Sequence, residues 1–402
     1  MANSPVNPRE ASNKSQANDP GCSSNPGQAS NPGQASNPGQ ARATNPAGKN
    51  SSGSHEFWLA AWYEGRWWLW LLWPLSLLFS GLAARRRRRL SASAVKLSAP
   101  LIVVGNISLG GTGKTPLIIA LVKFLRSRGL RPGVLSRGYG GQAPHYPYSV
   151  VAGSDPRHCG DEPLLIAREA ACPVAVDRDR VAAGQHLIRE HGCNILLSDD
   201  GLQHYRLARQ WEIAVIDGRR GLGNGLCLPA GPLREPPARL QEVDCVVING
   251  TGSACETELA LDHGIVFAVN LLPSHWCNVK TGERVSVVDY PRLLASAAGE
   301  EAIDAVTGIG NPGRFFDTLR DMGLKIRENS FPDHHPFCAE DLQYAGDQPL
   351  LMTAKDAVKC QPFAKASWWY LAVGMPLPDA LQQTLADFLV QQGLLADHSE
   401  SS

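Results

Sequence analysis

Lys114 and Thr115 close the stretch GGTGKT at residues 110–115, a pairing of residue types that handles the phosphates of a nucleoside triphosphate. In the full pattern a glycine and four further residues precede Gly-Lys-Ser/Thr. The lysine reaches the β- and γ-phosphates, and the hydroxyl serves Mg2+. Here Ser108 stands where the opening glycine belongs, so the strict pattern fails by one residue. Gly110, Gly111 and Gly113, with Thr112 among them, keep its physical essentials: backbone without a Cβ can bring its N–H groups close to an anion.

Acids come next. Asp199 and Asp200 end the apolar run CNILLS at 193–198. A carboxylate at the C-terminal end of a buried strand beside a phosphate loop is placed to hold Mg2+. Adjacent strand residues point opposite ways, so the two acids cannot share one role; a plain Asp-Asp-Gly turn is the alternative. GDEP at 160–163 puts Asp161 and Glu162 where a helix should begin, and on the residues alone an N-capping Asp161 followed by Pro163 is the favoured reading. The Gly/Pro-rich loop 221–236 carries or adjoins Arg219, Arg220 and Arg234, side chains suited to phosphate or to developing phosphoryl charge, or simply to solvent. SFPDHHPF at 330–337 offers Asp333, His334 and His335. No third ligand at matching spacing accompanies the histidines, which leaves a histidine paired with a carboxylate for proton handling, or a surface turn.

Something must hold these groups in place. APLIVVG before the phosphate loop reads as a buried strand, and PLIIALVKFLRSRG after it has helical spacing at Leu117, Ala120, Leu121, Phe124 and Leu125. Pro116 suits the first helical turn, and the helix N-terminus aims its unpaired N–H groups at the loop. Further strands are expected at 132–136, 173–176, 194–198, 212–216 and 244–248, and helices at 161–171, 178–191 and near 235–241. The alternation predicts a parallel sheet covered on both faces. A second set has strands near 265–270, 303–307, 349–353 and 368–373, and helices near 312–322, 338–345 and 379–393. It reads as a smaller C-terminal α/β domain. The expected division is a Pro/Gly/Ser-rich disordered tail over 1–54, a membrane-anchoring segment over 55–94, a nucleotide-binding domain over 95–271, a linker over 272–300 and the smaller domain over 301–402.

SNPGQA occurs three times between 24 and 41, a repeat too short and too polar to build a core. Residues 67–84 hold no charge and four tryptophans, and five arginines follow at 85–89. Such a segment belongs at a membrane, crossing it or lying among the headgroups, with the arginines on anionic cytoplasmic lipid. A signal peptide would carry its basic residues before the apolar stretch. The charge balance, 38 basic against 38 acidic, argues against a nucleic-acid binder. No obligate protein partner is evident. The ten cysteines include no C-x-x-C and read as small buried hydrophobes in a reducing compartment.

Taken in order, VGNISLGGTGKTP, GVLSRGYGG, GDEP, DDGLQHYRLAR, VIDGRRGLGNGLCLPAGPLRE, GIGNPGRFF, FPDHHPF and MTAKDAVKC make the chain similar to the tetraacyldisaccharide 4'-kinases, the lipid A 4'-kinases of Gram-negative bacteria. The resemblance runs from about residue 62 to near 375. It implies a phosphate-loop NTPase-like sheet domain with a smaller α/β domain and a membrane-associated N-terminal helix. It also implies ATP and Mg2+ as cofactors, a lipid disaccharide as acceptor, anionic lipid as the surface, and the cytoplasmic face of the bacterial inner membrane as the location. By position, Asp161 matches the general base and His334 its partner, with His335 as the competing choice. Glu162 and Asp200, with Thr115, match the Mg2+ positions. Lys114 and Arg234 match phosphate-charge residues, joined by Arg178 or Arg180, while Asp199 adjoins Lys114 or the metal's water. Three rival readings fit the residues less well, and a non-catalytic, membrane-tethered scaffold would not need Lys114, Asp161 and Asp200. A guanine-nucleotide switch needs Asn-Lys-x-Asp, which TAKD at 353–356 does not supply, and a soluble small-molecule kinase has no use for the Trp-rich segment and its arginines.

Overall fold

The computed structural model describes residues 52–250, 265–290 and 302–396; the SNPGQA repeats and residues 291–300 of the expected linker lie outside them. In chain order, α1 (Ser52–Glu64), a 3-10 turn (Trp67–Leu72) and α2 (Trp73–Ser91) precede β1 (Leu101–Gly105), α3 (Lys114–Ser127), β2 (Pro132–Ser136), β3 (Tyr148–Val150) and α4 (Pro156–Cys159). Then come α5 (Asp161–Ala170), β4 (Val174–Val176), α6 (Arg180–His191), β5 (Ile195–Asp199), β6 (Trp211–Asp217), β7 (Cys245–Asn249) and β8 (Val266–Val269). The second set is β9 (Leu272–Asn278), β10 (Arg284–Ser286), β11 (Ile303–Thr307), α7 (Pro312–Asp321), β12 (Ile326–Ser330), β13 (Leu350–Thr353), α8 (Ala354–Cys360), β14 (Trp368–Gly374) and α9 (Asp379–Gln391).

Two sheets form among the described residues. The first has eight strands in the order β3-β4-β2-β5-β1-β6-β7-β8, all parallel except β3. Its central strands are buried at every position and mostly apolar, because both faces are covered. Ile102 and Val104 of β1 face a core with Leu117, Leu121 and Leu125 of α3, whereas Leu101 and Val103 face Leu187 of α6 and Leu196. Burying each such side chain is worth about 1.5–3 kcal/mol, so these strands are over-determined. The second sheet has the order β10-β9-β14-β13-β11-β12, with β9 antiparallel to both its neighbours.

Four expectations need correction. Residues 272–286, expected to be linker, include two strands of the second sheet. The strand expected to open the second set, β8, pairs with β7 and closes the first sheet. The helices expected near 235–241 and 338–345 are 3-10 turns, Pro237–Glu242 and Glu340–Ala345. Finally, α9 returns to the first core: its Leu381, Leu385, Phe388 and Leu389 pack there, and the Phe388 ring stacks on Trp211 at 5.3 Å.

The apolar N-terminal segment breaks at Trp73, where Pro74 opens α2. The stretch Trp67–Ser91 is, among the described residues, the one long and apolar enough to cross a membrane, and little of it is buried. Trp67, Leu71, Leu78 and Leu82 are exposed.

Candidate active site

Lys114, Asp199 and Asp200, singled out from the sequence for phosphate or metal chemistry, stand at the C-terminal edge of the first sheet, where open α/β sheets bind ligands. β1 ends at Gly105 and α3 begins at Lys114, with Gly110 (φ +105°) and Gly113 (φ +92°) turning the loop between them. The missing glycine at 108 has a physical reason. Ser108 is not left-handed but paired in an isolated antiparallel bridge with Leu233, flanked by hydrogen bonds from Leu109 N to Pro232 O (2.9 Å) and Arg234 N to Ile107 O (2.6 Å). The loop 221–236 therefore does for this end of the phosphate loop what a glycine turn does elsewhere.

Inside the loop, Asn106 Nδ2 donates to Ser108 O (2.8 Å), and Lys114 Nζ donates to Asn106 Oδ1 (3.1 Å). Asn249, at the end of β7, donates from Nδ2 to Thr112 O (3.0 Å) and accepts at Oδ1 from Arg314 of α7 (3.0 Å). The hydroxyl of Thr112 is buried with no partner.

Asp199 lies level with Val104 in the β1–β5 register, directly beside the loop. Its Oδ2 accepts from Ser136 Oγ (3.1 Å), while its Oδ1 is buried with no hydrogen-bond partner. Burial first, then the charges of Glu162 and Asp200, push its carboxyl up to about 7. Asp200 adopts φ +46° and turns the other way, to Lys114 Nζ (3.4 Å) and Arg234 Nη1 (3.1 Å). Burial would raise its carboxyl too, but Lys114 and Arg234 outweigh it and hold it at about 2. Two adjacent acids thus take opposite electrostatic characters, Asp199 as the last residue of β5 and Asp200 in the left-handed turn that follows it. Lys114 meets Asp200 and not Asp199.

A second group faces these acids. The cap of α5 is Gly160 (φ +86°), so Asp161 is the first helical residue and makes no capping bond; the favoured capping reading of its side chain is corrected. Its Oδ2 instead lies 3.2 Å from Nδ1 of His334, 173 positions away in the chain. His334 follows β12 in a left-handed conformation (φ +61°). Lys355 Nζ approaches His334 Nε2 at 3.4 Å and Glu162 Oε1 at 3.2 Å, and Lys359 Nζ lies 3.8 Å from Asp161 Oδ2. An ammonium donating to Nε2 leaves the imidazole proton on Nδ1, where it is donated to Asp161. Burial raises the Asp161 carboxyl, but the His334 hydrogen bond and the charges of Lys359 and Lys355 prevail and set it below its ordinary value. His335 turns away to Asp341 (2.8 Å), so the geometry selects His334 from the doublet.

A model of the family described as Tetraacyldisaccharide-1-P 4'-kinase matches residues 68–390. The chain belongs to this family. The Tetraacyldisaccharide 4'-kinase of Alcanivorax borkumensis is 45% identical over 336 residues, 83% of this chain and 98% of its own length. That of Pseudomonas aeruginosa is 46% identical over 324 residues, 80% of this chain and 93% of its own. The crystal structure of LpxK from Aquifex aeolicus in complex with ATP is similar with a TM-score of 0.63 at 26% identity, over 80% of this chain and 99% of that one. The chain is accordingly a kinase with the phosphate-loop fold of its family.

Not all candidate residues of this kinase converge. Arg180 is buried, and its guanidinium donates to Ser198 Oγ (2.9 Å) and to the carbonyls of Asp199 (2.7 Å) and Leu135 (3.2 Å), so it braces strand ends; Arg178 is exposed. Behind Arg234 a buried network joins Gln203 and Tyr205 to Glu235, and Arg239 to Glu212 (2.6 Å). The N-terminal helices dock on the same loop through Trp62 Nε1 to Pro229 O (3.0 Å) and Ser76 Oγ to Cys227 O (2.7 Å). Residues that sequence reasoning left without a role are Asn106, Ser136, Asn249, Arg314, Lys355 and Lys359. For the two lysines a signal existed: four residues apart on a helix, they share one face. Among the described residues no group of three or more His, Cys, Asp and Glu side chains is spaced to cage a metal.

Proposed function

We propose that this kinase transfers the γ-phosphoryl group of ATP to the 4'-hydroxyl of a tetraacyldisaccharide 1-phosphate, giving lipid IVA and ADP. The observation that carries the residue roles is the Asp161–His334 contact, which sets a carboxylate held ionised opposite the phosphate loop. Lys114 and the backbone N–H groups at 110–114 hold the β- and γ-phosphates. Arg234 supplies positive charge for the developing phosphoryl oxygens. Asp161 accepts the proton of the 4'-hydroxyl through its remaining oxygen as the acceptor oxygen bonds to the γ-phosphorus. The bond from that phosphorus to the β,γ-bridging oxygen breaks, and ADP leaves with its electron pair. His334 orients Asp161 throughout. Arg178, exposed where Arg180 is internal, is the member of that pair assigned to phosphate.

Thr115, Glu162 and Asp200 are the residues we assign to Mg2+, and the unpartnered Oδ1 of Asp199 fits the same ion, since a buried carboxyl pushed up to about 7 is relieved by a divalent charge. When bound, Mg2+ neutralises phosphate charge.

The acceptor is a lipid, and we infer that α2 lies embedded in the cytoplasmic face of the inner membrane without crossing it. Ser76, Phe79 and Arg87 of α2 touch the catalytic body, Arg87 pairing with Glu242, and Leu69 packs in the turn just before it. A helix held by the body along its length cannot stand across a bilayer, while its exposed leucines can enter one. Anionic headgroups are the surface we assign to the other arginines of the run. The domain limits we assign are 95–271 for the nucleotide-binding part and 272–374 for the second sheet, with α9 returning to the first.

Label transfer tests the proposal. Full-length protein in detergent with Mg2+ and γ-labelled ATP is expected to label the tetraacyldisaccharide 1-phosphate, and Asp161→Ala to leave it near background. ATP hydrolysis without labelled lipid would overturn it.

A further inference from the structure

The site includes a buried charge pair that phosphoryl transfer itself does not use. Asp356 is fully buried on α8 and Lys359 is 8% exposed. Asp356 Oδ2 accepts from Thr307 Oγ1 (2.9 Å), Thr353 Oγ1 (2.6 Å) and Gly308 N (3.2 Å), and its Oδ1 lies 3.2 Å from Lys359 Nζ. Lys359 Nζ also donates to His335 O (3.2 Å), stands 3.8 Å from Asp161 Oδ2, and sits over the Phe337 ring at 5.3 Å. One pair therefore joins the ends of β11 and β13 to the loop after β12 and to the start of α5.

A buried ion pair is a poor source of stability, because desolvation offsets most of the attraction. Here it supplies geometry. His334 occupies φ +61°, a region that a residue with a Cβ keeps only when its surroundings hold it there. His334 N is bonded to Gly308 O (3.2 Å), and Gly308 N is bonded to Asp356. The next carbonyl, at 335, is bonded to Lys359. The backbone on both sides of His334 is thus restrained through Asp356 or Lys359.

We propose that Asp356 and Lys359 are positioning residues for phosphoryl transfer, clamping the strained His334 loop in the one register that lets its imidazole meet the Asp161 carboxylate. The proposal rests on the reading of Asp161 and His334 given above and deepens it. A pair with a merely structural role lowers activity by the same factor whatever residue stands at 334. A pair acting through His334 has nothing left to position once the imidazole is gone.

The test is a double-mutant cycle on the full chain in detergent: wild type, Lys359→Met, His334→Ala and the combination, each measured for kcat, for KM of ATP and of the lipid, and for thermal midpoint. Lys359→Met is expected to lower kcat about 10- to 100-fold, the range that misplacing a reacting group produces. KM for ATP should stay within about twofold, and on the His334→Ala background the same change should cost less than about twofold. Lys359→Gln keeps a donor for the 335 carbonyl and runs through the same cycle, so an insoluble methionine variant does not end the test. Equal losses in both backgrounds, or an unaltered kcat, overturn the proposal alone. An unaltered kcat in His334→Ala overturns the underlying reading and the proposal with it.

Discussion

Replacing Gly113 by alanine should injure the nucleotide site out of proportion to the size of a methyl group. Gly113 sits at φ +92°, where a side chain strains the backbone by about 1–2 kcal/mol. The new Cβ would also overlap Nδ2 of Asn249, a 1% exposed side chain fixed by two hydrogen bonds of 3.0 Å, to Thr112 O and from Arg314. If Asn249 retreats, it gives up a neutral bond of about 1 kcal/mol and one to a guanidinium of about 1.5–3 kcal/mol. The two effects sum to about 3–6 kcal/mol, divided between folding and the phosphate loop. Gly129 is the control: it has φ +79° with nothing within 4 Å of an added Cβ, so alanine there meets only the backbone strain. Denaturant unfolding and titration with a fluorescent ATP analogue separate the two contributions. Gly129→Ala should lose about 1–2 kcal/mol of stability and bind nucleotide normally. Gly113→Ala should lose more, with Kd raised at least about tenfold, equivalent to 1.4 kcal/mol. A Gly113→Ala variant that matches the control in stability and binds within about threefold of wild type would refute the reasoning.

Other outcomes follow from the same geometry. His204, half-buried near Arg180 and Arg209, is held down at about 4 from 6.5, by desolvation foremost. It binds fewer protons folded than unfolded in that window, so its contribution to stability is present above pH 6.5 and is lost as pH falls towards 4; His204→Gln should flatten that part of the curve of thermal midpoint against pH. Arg239→Met leaves buried Glu212 with Arg209 as its remaining guanidinium and takes the guanidinium from buried Glu235, and should destabilise the fold by about 3 kcal/mol in denaturant unfolding. Serine at Leu71, Leu78 and Leu82 together should cut partition into anionic vesicles by at least about 100-fold, since each buried leucine is worth about 1.5–3 kcal/mol, and leave nucleotide affinity unchanged.

The parts of this molecule legible in its sequence are those whose surroundings leave little choice. β1, β2, β5, β6 and β7 stand out in the sequence within about a residue because strands covered on both faces are near-continuous apolar runs, their polar residues falling mainly at the ends. α3, α5 and α6 carried periodic stripes and clear stops. β3, β9, β10 and β12 did not show, for the opposite reason: they lie at or near sheet edges and are only partly buried, as in LPSHWCN of β9. The apolar stripe of α9 announced a packed helix but not the sheet it packs on, because any apolar face satisfies it. The phosphate loop and the Asp199–Asp200 pair were visible as local motifs. The contact between Asp161 and His334 was not, since nothing local links residues 173 positions apart; on the residues alone Asp161 looked like a helix cap. Only the ordered likeness to a known family pointed to that pairing. Lys355 and Lys359 were in view as a helical i, i+4 pair, and their role emerged once α8 was placed against α5.

In the proposed mechanism the Asp161 carboxylate at the start of α5, oriented by the His334 imidazole after β12, takes up a proton during phosphoryl transfer. Single-turnover transfer, with enzyme in excess over labelled ATP and lipid acceptor saturating, tests it most directly, because binding and product release drop out. Asp161→Asn is expected to slow this step by at least about 100-fold, the range for loss of a positioned base, with nucleotide affinity unchanged. A single-turnover rate equal to that of wild type would contradict the account.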